Sequence, residues 1–386
     1  MRRYPALLLF ALVGCDRAAP PSHSALADSL DAVSRSFAEQ HHLVGLAVGV
    51  MDRDSVIFRA GFGTTSIPNG KPVTPQTVFH MASISKTFVA TAIMQLVEQG
   101  SIALDSSVRR YLPDFSMKDP RAASITIRQL LTHTAGMPDV TDYRWNAPEA
   151  DDAALHRYVL GLADSTLIAA PGAGWRYSNI GFEVLADVVA TVARMPFEDY
   201  VQRRILTPLG MRKSTFLMTD VDTTLLAQGN EADSTGAPKP TGVYPYNRPH
   251  AGSSTLHSNV DDMLLFGAAN IHRGALGGAS ILSPATYAEM WKPQADLTAT
   301  IAAMAREASR TLPYSKVAIG LSWFLPEYHG HRLAFHSGGD VGFSTDLVLA
   351  PDDNVVIAVM TNESGVRMWD LSVRLLDLVL AARGAR

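Results

Sequence analysis

The pattern of hydrophobic and polar residues predicts strands near both ends of the chain and helices between them. Near the start, helical spacing and then two apolar runs predict a helix and a hairpin, at 25–40, 43–50 and 55–61. Three more strand-like runs and a helical stretch close the chain, at 331–336, 345–349, 355–360 and 366–382. The middle is mostly helical in its pattern, at 84–99, 126–133, 152–162, 179–194, 197–206 and 259–271.

These elements predict an α+β fold in which the two ends of the chain build one sheet. Strands from both termini would form a single antiparallel sheet, flanked by the N- and C-terminal helices. The helical middle would be a second lobe inserted into it. We place one catalytic domain at 25–386, with the α/β lobe at 25–82 and about 250–386 and the helical lobe at about 83–249.

The first 24 residues are expected to lie outside this domain. A basic start precedes an apolar run at 6–13 that is too short to span a bilayer and is typical of a secretory signal peptide. The run ends in Leu-Val-Gly-Cys15, which resembles a bacterial lipobox, where cleavage precedes the cysteine and its thiol is lipidated. We therefore predict a signal peptide at 1–14, a lipid anchor at Cys15, and a flexible tether at 15–24.

The protein would then be an exported bacterial lipoprotein of the cell envelope or periplasm, anchored to a membrane. Cys15 is the only cysteine in the chain, and the alternative is an ordinary cleaved signal with an incidental cysteine. The net charge of −4 and the lack of Lys or Arg runs argue against a nucleic-acid partner. We expect a small-molecule or peptide substrate, and the sequence leaves the oligomeric state and the choice of inner or outer membrane open.

The first candidate chemistry lies where the helix at 84–99 begins. Ser83 and Lys86 are three residues apart, which places their side chains on one helix face, a turn apart. A serine hydroxyl needs a base to become a nucleophile, and a lysine can be that base if burial favours its neutral amine. Ser85 is a rival nucleophile, but it neighbours Lys86 in sequence and points to another face. The simpler alternative for Ser83 is a helix N-cap.

Two further motifs supply groups for the same substrate. Tyr177 and Asn179, at the start of the helix at 179–194, offer a phenol that can relay protons and an amide that can bind a carbonyl. His336, at the end of a predicted strand, could hold a substrate carboxylate, while Gly338 and Gly339 let substrate approach the backbone. Each motif alone also fits a structural role, but the three together, in this order, favour a catalytic site.

In these motifs the chain resembles the serine β-lactamase-related family, which includes class C β-lactamases, D-alanyl-D-alanine carboxypeptidases, D-aminopeptidases and esterases. The segment 130–137 and the closing hairpin at 345–361 match further family signatures, so the resemblance covers nearly the whole chain after the tether. It implies a β-lactamase/transpeptidase-like fold. It also implies that Ser83 is the acylated nucleophile, Lys86 its activating partner and Tyr177 the general base and acid.

The resemblance assigns supporting roles as well. Asn179 would bind the substrate amide, and the backbone N–H groups of Ser83 and Gly339 would form an oxyanion hole. His133, in the 130–137 segment, is expected to be structural. No cofactor and no metal is implied, and the sequence has neither a His-Glu-x-x-His motif nor clustered cysteines.

One departure from the family pattern bears on the substrate. Class A and class C β-lactamases and many penicillin-binding proteins carry Lys-Thr-Gly where this chain has His336, Ser337 and Gly338. A neutral histidine binds a carboxylate less firmly than a lysine does. We therefore predict a D-Ala-type peptidase, carboxypeptidase or esterase, with room for weak β-lactamase activity. The alternative is a non-catalytic lipoprotein that binds cell-wall peptide or β-lactam.

Overall fold

The computed structural model describes residues 23–310, 312 and 314–384. The predicted signal peptide, Cys15 and most of the tether lie outside the described residues, so the lipid anchor stays a prediction. The first helix begins at His23, and the last two residues of the predicted tether therefore belong to a helix. Among the described helices, none combines the length and the apolar character that a membrane span requires.

The centre of the fold is an antiparallel sheet that both ends of the chain build. The strands are β1 Gly45–Asp52, β2 Ser55–Gly63, β3 Phe79–His80, β4 Asn230–Ala232, β5 Pro238–Pro240, β6 His257–Ser258, β7 Ala275–Leu276, β8 Ala279–Ser280, β9 Ala295–Asp296, β10 Lys316–Ile319, β11 Phe324–Tyr328, β12 His331–Arg332, β13 Ala334–Asp340, β14 Phe343–Ala350 and β15 Val355–Thr361. Nine of them form the main sheet, in the order β2–β1–β15–β14–β13–β11–β10–β9 with β12 paired to β11. Because β15 lies between β1 and β14, the two ends of the chain meet inside one sheet, which confirms the predicted α+β arrangement.

Helices cover both faces of this sheet. They are α1 His23–Gln40, α2 Ser85–Glu98, α3 Ile127–Leu131, α4 Ala154–Gly161, α5 Asn179–Ala193, α6 Phe197–Val201, α7 Thr207–Leu209, α8 Val260–Ile271, α9 Pro284–Met290, α10 Thr298–Glu307 and α11 Trp369–Gly384. Helices α1 and α11 pack together on one face, and α8 packs on β1, β14 and β15 from the other. Helices α2, α3, α5 and α6 pack on one another and form the helical part of the molecule.

Strands β1, β14 and β15 at the centre of the sheet are buried on both faces, which explains why their sequences are mostly apolar. In β1, Leu46, Val48 and Val50 join the core formed with α1 and α11, whereas Ala47 and Met51 join the larger core on the other face. Full burial of one such side chain contributes about 1.5–3 kcal/mol. A shift of one residue would exchange the two faces, so the pattern fixes the register of the sheet.

Several elements differ from those predicted. Strand β13 runs on to Asp340, so the His336 motif lies inside a strand and not at its end. Strands β9 to β11 and helices α9 and α10 were not predicted, because segments as short as Lys316–Ile319 contain too few alternations to stand out. The helix predicted at 197–206 is α6 followed by a π-helical turn at 202–206, after which Pro208 has no amide hydrogen to donate.

A buried carboxylate connects β13 to the C-terminal helix. Asp346 on β14 accepts hydrogen bonds from Ser337 Oγ on β13 and from Ser372 Oγ on α11, both at 2.8 Å. Burial raises the pKa of Asp346 to about 7, although the two hydroxyl groups oppose the shift. Because this value lies above that of an unfolded Asp, the stability due to the group is present below about pH 4 and is lost as the pH rises through 7.

Replacing Asp346 with Asn is therefore expected to stabilise the protein far more at high pH than at low pH. The amide has nearly the same shape and, with rotated serine hydroxyls, keeps both contacts without burying a charge. The gain in the free energy of unfolding should be on the order of 3–4 kcal/mol at pH 9 and under about 1 kcal/mol at pH 4. Urea unfolding at pH 4 and pH 9 measures this gain. An equal gain in the free energy of unfolding at both pH values would contradict the role of the Asp346 charge.

Candidate active site

Ser83 lies in a short 3-10 turn, Ala82–Ile84, that leads directly into α2. The N-cap position of α2 is Ile84, so Ser83 is not a helix cap. Ala82 has a left-handed backbone with φ +47°, a conformation that costs a non-glycine residue about 1–2 kcal/mol. The carbonyl of Met81 accepts a hydrogen bond from Thr345 Oγ1 at 3.0 Å, so β14 holds the strained turn in place.

Lys86 joins this turn to the rest of the site. Its side chain is fully buried, and Nζ donates hydrogen bonds to Ser83 Oγ at 2.8 Å and to the Ser253 carbonyl oxygen at 2.9 Å. Nζ also lies 5.2 Å from the ring centroid of Tyr177 and 5.8 Å from that of Phe182. A buried amine held between a serine oxygen and a carbonyl is well placed to exchange a proton with Ser83.

The ring of His133 supports Tyr177. The two rings stack with their centroids 4.2 Å apart and an interplanar angle of 25°. Nδ1 of His133 accepts the backbone N–H of Ser178 at 3.1 Å, which fixes the start of α5. Burial, followed by the charge of Lys86, lowers the pKa of His133 well below its ordinary value, so the ring is neutral and keeps this acceptor at physiological pH. These contacts agree with the structural role predicted for His133.

Asn179 is the first residue of α5, and its side chain contacts a carboxylate that the sequence did not single out. Its backbone N–H and its side-chain NH₂ both donate to Asp139 Oδ1, at 2.8 and 3.0 Å. Asp139 thus lies at the helix N-terminus, where the helix dipole favours a negative charge. Binding of a substrate amide by Asn179 stays a prediction.

Strand β13 passes so close to the Ser83 turn that residue 338 must lack a side chain. A Cβ atom at Gly338 would lie 2.2 Å from the Met81 carbonyl oxygen and 2.3 Å from Thr345 Oγ1. At Gly339, by contrast, no atom of the described residues lies within 4 Å of such a Cβ, so the backbone is open there. The amides of Ser83 and Gly339, predicted to form the oxyanion hole, therefore belong to two segments in contact.

His336 is buried, and its protonation state differs from that of the lysine it replaces. Nδ1 lies 2.8 Å from the carbonyl oxygen of Ser337, which can only accept, so Nδ1 carries the hydrogen. Burial, and then the charge of Lys86, lowers the pKa of His336 to about 3, so the ring is neutral. Nε2 is therefore an acceptor, and it has no hydrogen-bond partner among the described residues. Carboxylate binding by His336 stays a prediction that this protonation state does not favour.

Asp340 anchors the end of β13 beside the site. Its Oδ2 accepts a hydrogen bond from Ser254 Oγ at 2.6 Å and lies 3.3 Å from Nε2 of His80. Burial raises the pKa of Asp340, but the contacts with His80 and Ser254 outweigh it, and the net shift is downward. The three side chains do not form a catalytic triad, because the carboxylate contacts the serine directly and the histidine does not lie between them.

Sequence reasoning missed three of these contacts. Ser253 acts through its backbone carbonyl, which has no sequence signature and lies 167 positions from Lys86. Asp139 acts as a carboxylate at a helix start 40 residues away. Asp340 had a signal that could have been used, an acid placed directly after the two glycines of the third motif.

The site holds a buried lysine that is hydrogen-bonded to a serine, and it lies between an antiparallel sheet and a group of helices. This arrangement is typical of serine hydrolases of the β-lactamase/transpeptidase fold. The chain belongs to the beta-lactamase family, because the model of that family, described as "Beta-lactamase", matches residues 30–379. This match confirms the family and the fold class predicted from the motifs. Its relatives in that family include hydrolases, which confirms the enzyme class.

Three similar proteins illustrate the family. Penicillin-binding protein 4 of Amycolatopsis lactamdurans is 28% identical over 326 residues, which cover 84% of this chain and 82% of the relative. Esterase EstB of Burkholderia gladioli is 33% identical over 209 residues, 51% of this chain and 53% of the esterase. The structure of the octameric penicillin-binding protein homologue from Pyrococcus abyssi has a TM-score of 0.78 at 23% identity, covering 92% of this chain and 77% of that one.

Proposed function

We propose that this protein cleaves D-Ala-type peptides or esters through an acyl-enzyme on Ser83, with room for weak β-lactamase activity. The observation that carries the proposal is the 2.8 Å contact between Ser83 Oγ and the fully buried Nζ of Lys86. The names of two relatives, a penicillin-binding protein and an esterase, support a peptide-like or ester-like substrate.

In the first half-reaction, the amine of Lys86 accepts the proton of Ser83 while Oγ attacks the substrate carbonyl carbon. Negative charge then develops on the carbonyl oxygen, where the backbone N–H groups of Ser83 and Gly339 stabilise it. The bond to the leaving group breaks, and the departing alcohol or amine takes a proton supplied through Tyr177 and Lys86. The product is an ester between Ser83 and the acyl group.

The second half-reaction returns the enzyme to its first state. A water molecule loses its proton to Tyr177 or Lys86 and attacks the acyl carbon. The bond between that carbon and Oγ breaks, and Ser83 regains a proton as the acid product leaves. The proton count of the enzyme is unchanged over the cycle, so no co-reactant other than water is required.

The neutral His336 supports substrates without a carboxylate, such as esters, over β-lactams as preferred substrates. A lysine at this position supplies a fixed positive charge, whereas burial keeps the imidazole of His336 uncharged with a pKa of about 3. Recognition of a carboxylate would then rest on uncharged donors, which gain less from an anion than a cation does. The alternative of a non-catalytic binding protein gains no support from any contact described above.

Acylation of the chain from residue 16 onward tests the proposal. The protein is mixed with benzylpenicillin or with p-nitrophenyl acetate, and its intact mass is measured over time. We expect one acyl group per chain. Trypsin should place it on the peptide that ends at Lys86, and fragment ions should distinguish Ser83 from Ser85 in that peptide.

The lifetime of the adduct separates the activities. A long-lived penicilloyl group supports a peptidase, rapid loss supports a β-lactamase, and an acetyl adduct without a penicilloyl adduct supports an esterase. An adduct that forms with both reagents and never turns over would support the binding protein instead. An adduct on any residue other than Ser83, or none at all, would contradict the proposed nucleophile.

A further inference from the structure

A second buried carboxylate, that of Glu183, lies beside the Lys86 site and takes no part in the steps above. Glu183 is on α5, six residues after Tyr177, and its side chain is fully buried. Its Oε2 accepts the backbone N–H of Gly252 at 2.8 Å, and its Oε1 accepts the hydroxyl of Ser253 at 2.5 Å. The carboxylate therefore holds Gly252 and Ser253, and the backbone carbonyl of Ser253 contacts Lys86.

Ser253 connects this anion to the catalytic cation. Its hydroxyl donates to Glu183, while its carbonyl oxygen accepts the hydrogen bond from Lys86 Nζ at 2.9 Å. A buried acid on α5 and a buried base on α2 are thus linked through a single residue. Hydrogen bonds are stronger when the donor or the acceptor is charged, and the low dielectric of a protein interior strengthens them further.

Two basic groups lie next to Glu183: Lys86, which is reached through Ser253, and His250, which faces the carboxylate directly. The Nδ1 atom of His250 is 3.4 Å from Oε1, which is within ion-pair distance. Tyr143 and Tyr158 also face the carboxylate, and burial first, then the Glu183 charge, raises the pKa of both phenols, which stay neutral. A buried carboxylate without a counter-charge would be strongly destabilising.

The other titratable groups near Lys86 are uncharged or engaged elsewhere. The rings of His133, after α3, and His336, on β13, are neutral because burial lowers the pKa of both. Tyr177 presents the face of its ring to Nζ. On β13, the carboxylate of Asp340 is held by His80 and Ser254.

We propose that Glu183 is a positioning residue whose buried carboxylate, acting through Ser253, sets the position of Lys86 Nζ and thereby the pH dependence of acylation. The inference rests on the proposed function, because it concerns the same acylation of Ser83. By holding the 252–253 backbone, Glu183 fixes the carbonyl that orients Nζ. Replacing the carboxylate with a neutral group should therefore change the pH dependence of acylation, because the acid is linked to the proposed base of the reaction.

The Glu183→Gln variant tests the charge, because the amide keeps the shape of the side chain. With the Ser253 hydroxyl reversed, Gln can accept from Gly252 and donate to Ser253, so the geometry is preserved. We expect the acid limb of the acylation rate, measured with p-nitrophenyl acetate from pH 5 to 9, to move down by about one pH unit. Ser253→Ala keeps the charge and removes the link, and it should slow acylation about fivefold.

Asp187→Asn is the matched control. Asp187 is also buried on α5, one turn further along, but its carboxylate contacts His156 at 2.9 Å and not the 252–253 segment. Its pH profile should match that of the unmodified protein. A Glu183→Gln profile that superimposes on the unmodified one, or that shifts no more than that of Asp187→Asn, would overturn the inference.

Two checks separate the possible failures. If Glu183→Gln does not fold, Ser253→Ala decides the question alone, and unchanged rate and pH profile in that variant would overturn the inference. The Ser83 adduct of the unmodified protein is established first. Its absence counts against the proposed function, whereas an unchanged profile in a protein that does acylate counts against the role of Glu183 only.

Discussion

An alanine at position 83 is expected to lower kcat/KM for an activated ester by about 10⁴- to 10⁶-fold. The substitution removes the single oxygen that would form the acyl-enzyme and leaves water as the remaining nucleophile. Ser83 is only partly buried and its hydroxyl contacts Lys86 alone among the described side chains, so the change removes no packing. The melting temperature should therefore stay nearly the same, and the acyl adduct should disappear from the intact mass.

Ser85→Ala is the control for this result, because Ser85 is the rival nucleophile two residues away. Its hydroxyl is buried and accepts the backbone N–H of Leu256 at 3.0 Å, which is a structural contact. Losing it leaves a buried amide unpaired, which costs about 1–3 kcal/mol of stability. Ser85→Ala should thus melt earlier yet still form the adduct. A Ser83→Ala protein that retains turnover, or a Ser85→Ala protein that loses acylation while folded, would reverse the assignment.

The centre of the sheet was predictable from the sequence because its strands are buried on both faces. The runs that became β1 and β15 are almost wholly apolar and are bounded by turn residues, so they stand out even without a partner. The apolar runs alone do not show that β1 pairs with β15. We expected the two ends of the chain to meet because strands lie near both ends of the sequence with helices between them. Strands β9 to β11 carry short, mixed sequences at the sheet edge and gave no such signal.

Some contacts of the candidate site could also be predicted from the sequence, and others could not. Ser83 and Lys86 were predictable because a helix repeats every 3.6 residues, so their contact follows from spacing alone. The sequence could not predict that the Ser253 carbonyl accepts the second hydrogen bond of Lys86, because a backbone carbonyl can come from any residue type. The protonation of His336 was also beyond the sequence, since it depends on burial and on the distance to Lys86.

Replacing Lys86 with Met is expected to lower the rate of acylation about 10³- to 10⁵-fold while Ser83 itself is intact. Met fills the space of the Lys side chain but offers no amine, so Ser83 loses the group that takes its proton. The substitution also leaves the Ser253 carbonyl without its hydrogen-bond donor and removes the amine that Ser253 links to Glu183. We therefore expect a lower melting temperature as well, which Glu183→Gln in the same chain should partly restore.

Chemical restoration of the amine distinguishes loss of the base from loss of structure. Cys15 is the only cysteine of the chain, so in the protein from residue 16 onward Lys86→Cys introduces a unique thiol. Alkylation of the unfolded variant with 2-bromoethylamine, followed by refolding, builds a side chain with a sulfur atom in place of one methylene of Lys and an amine at the same reach. If Lys86 activates Ser83, acylation should return with the alkylated side chain and not after alkylation with a neutral reagent such as iodoacetamide. Equal recovery with both reagents would mean that the site needs the volume of the side chain and not its amine.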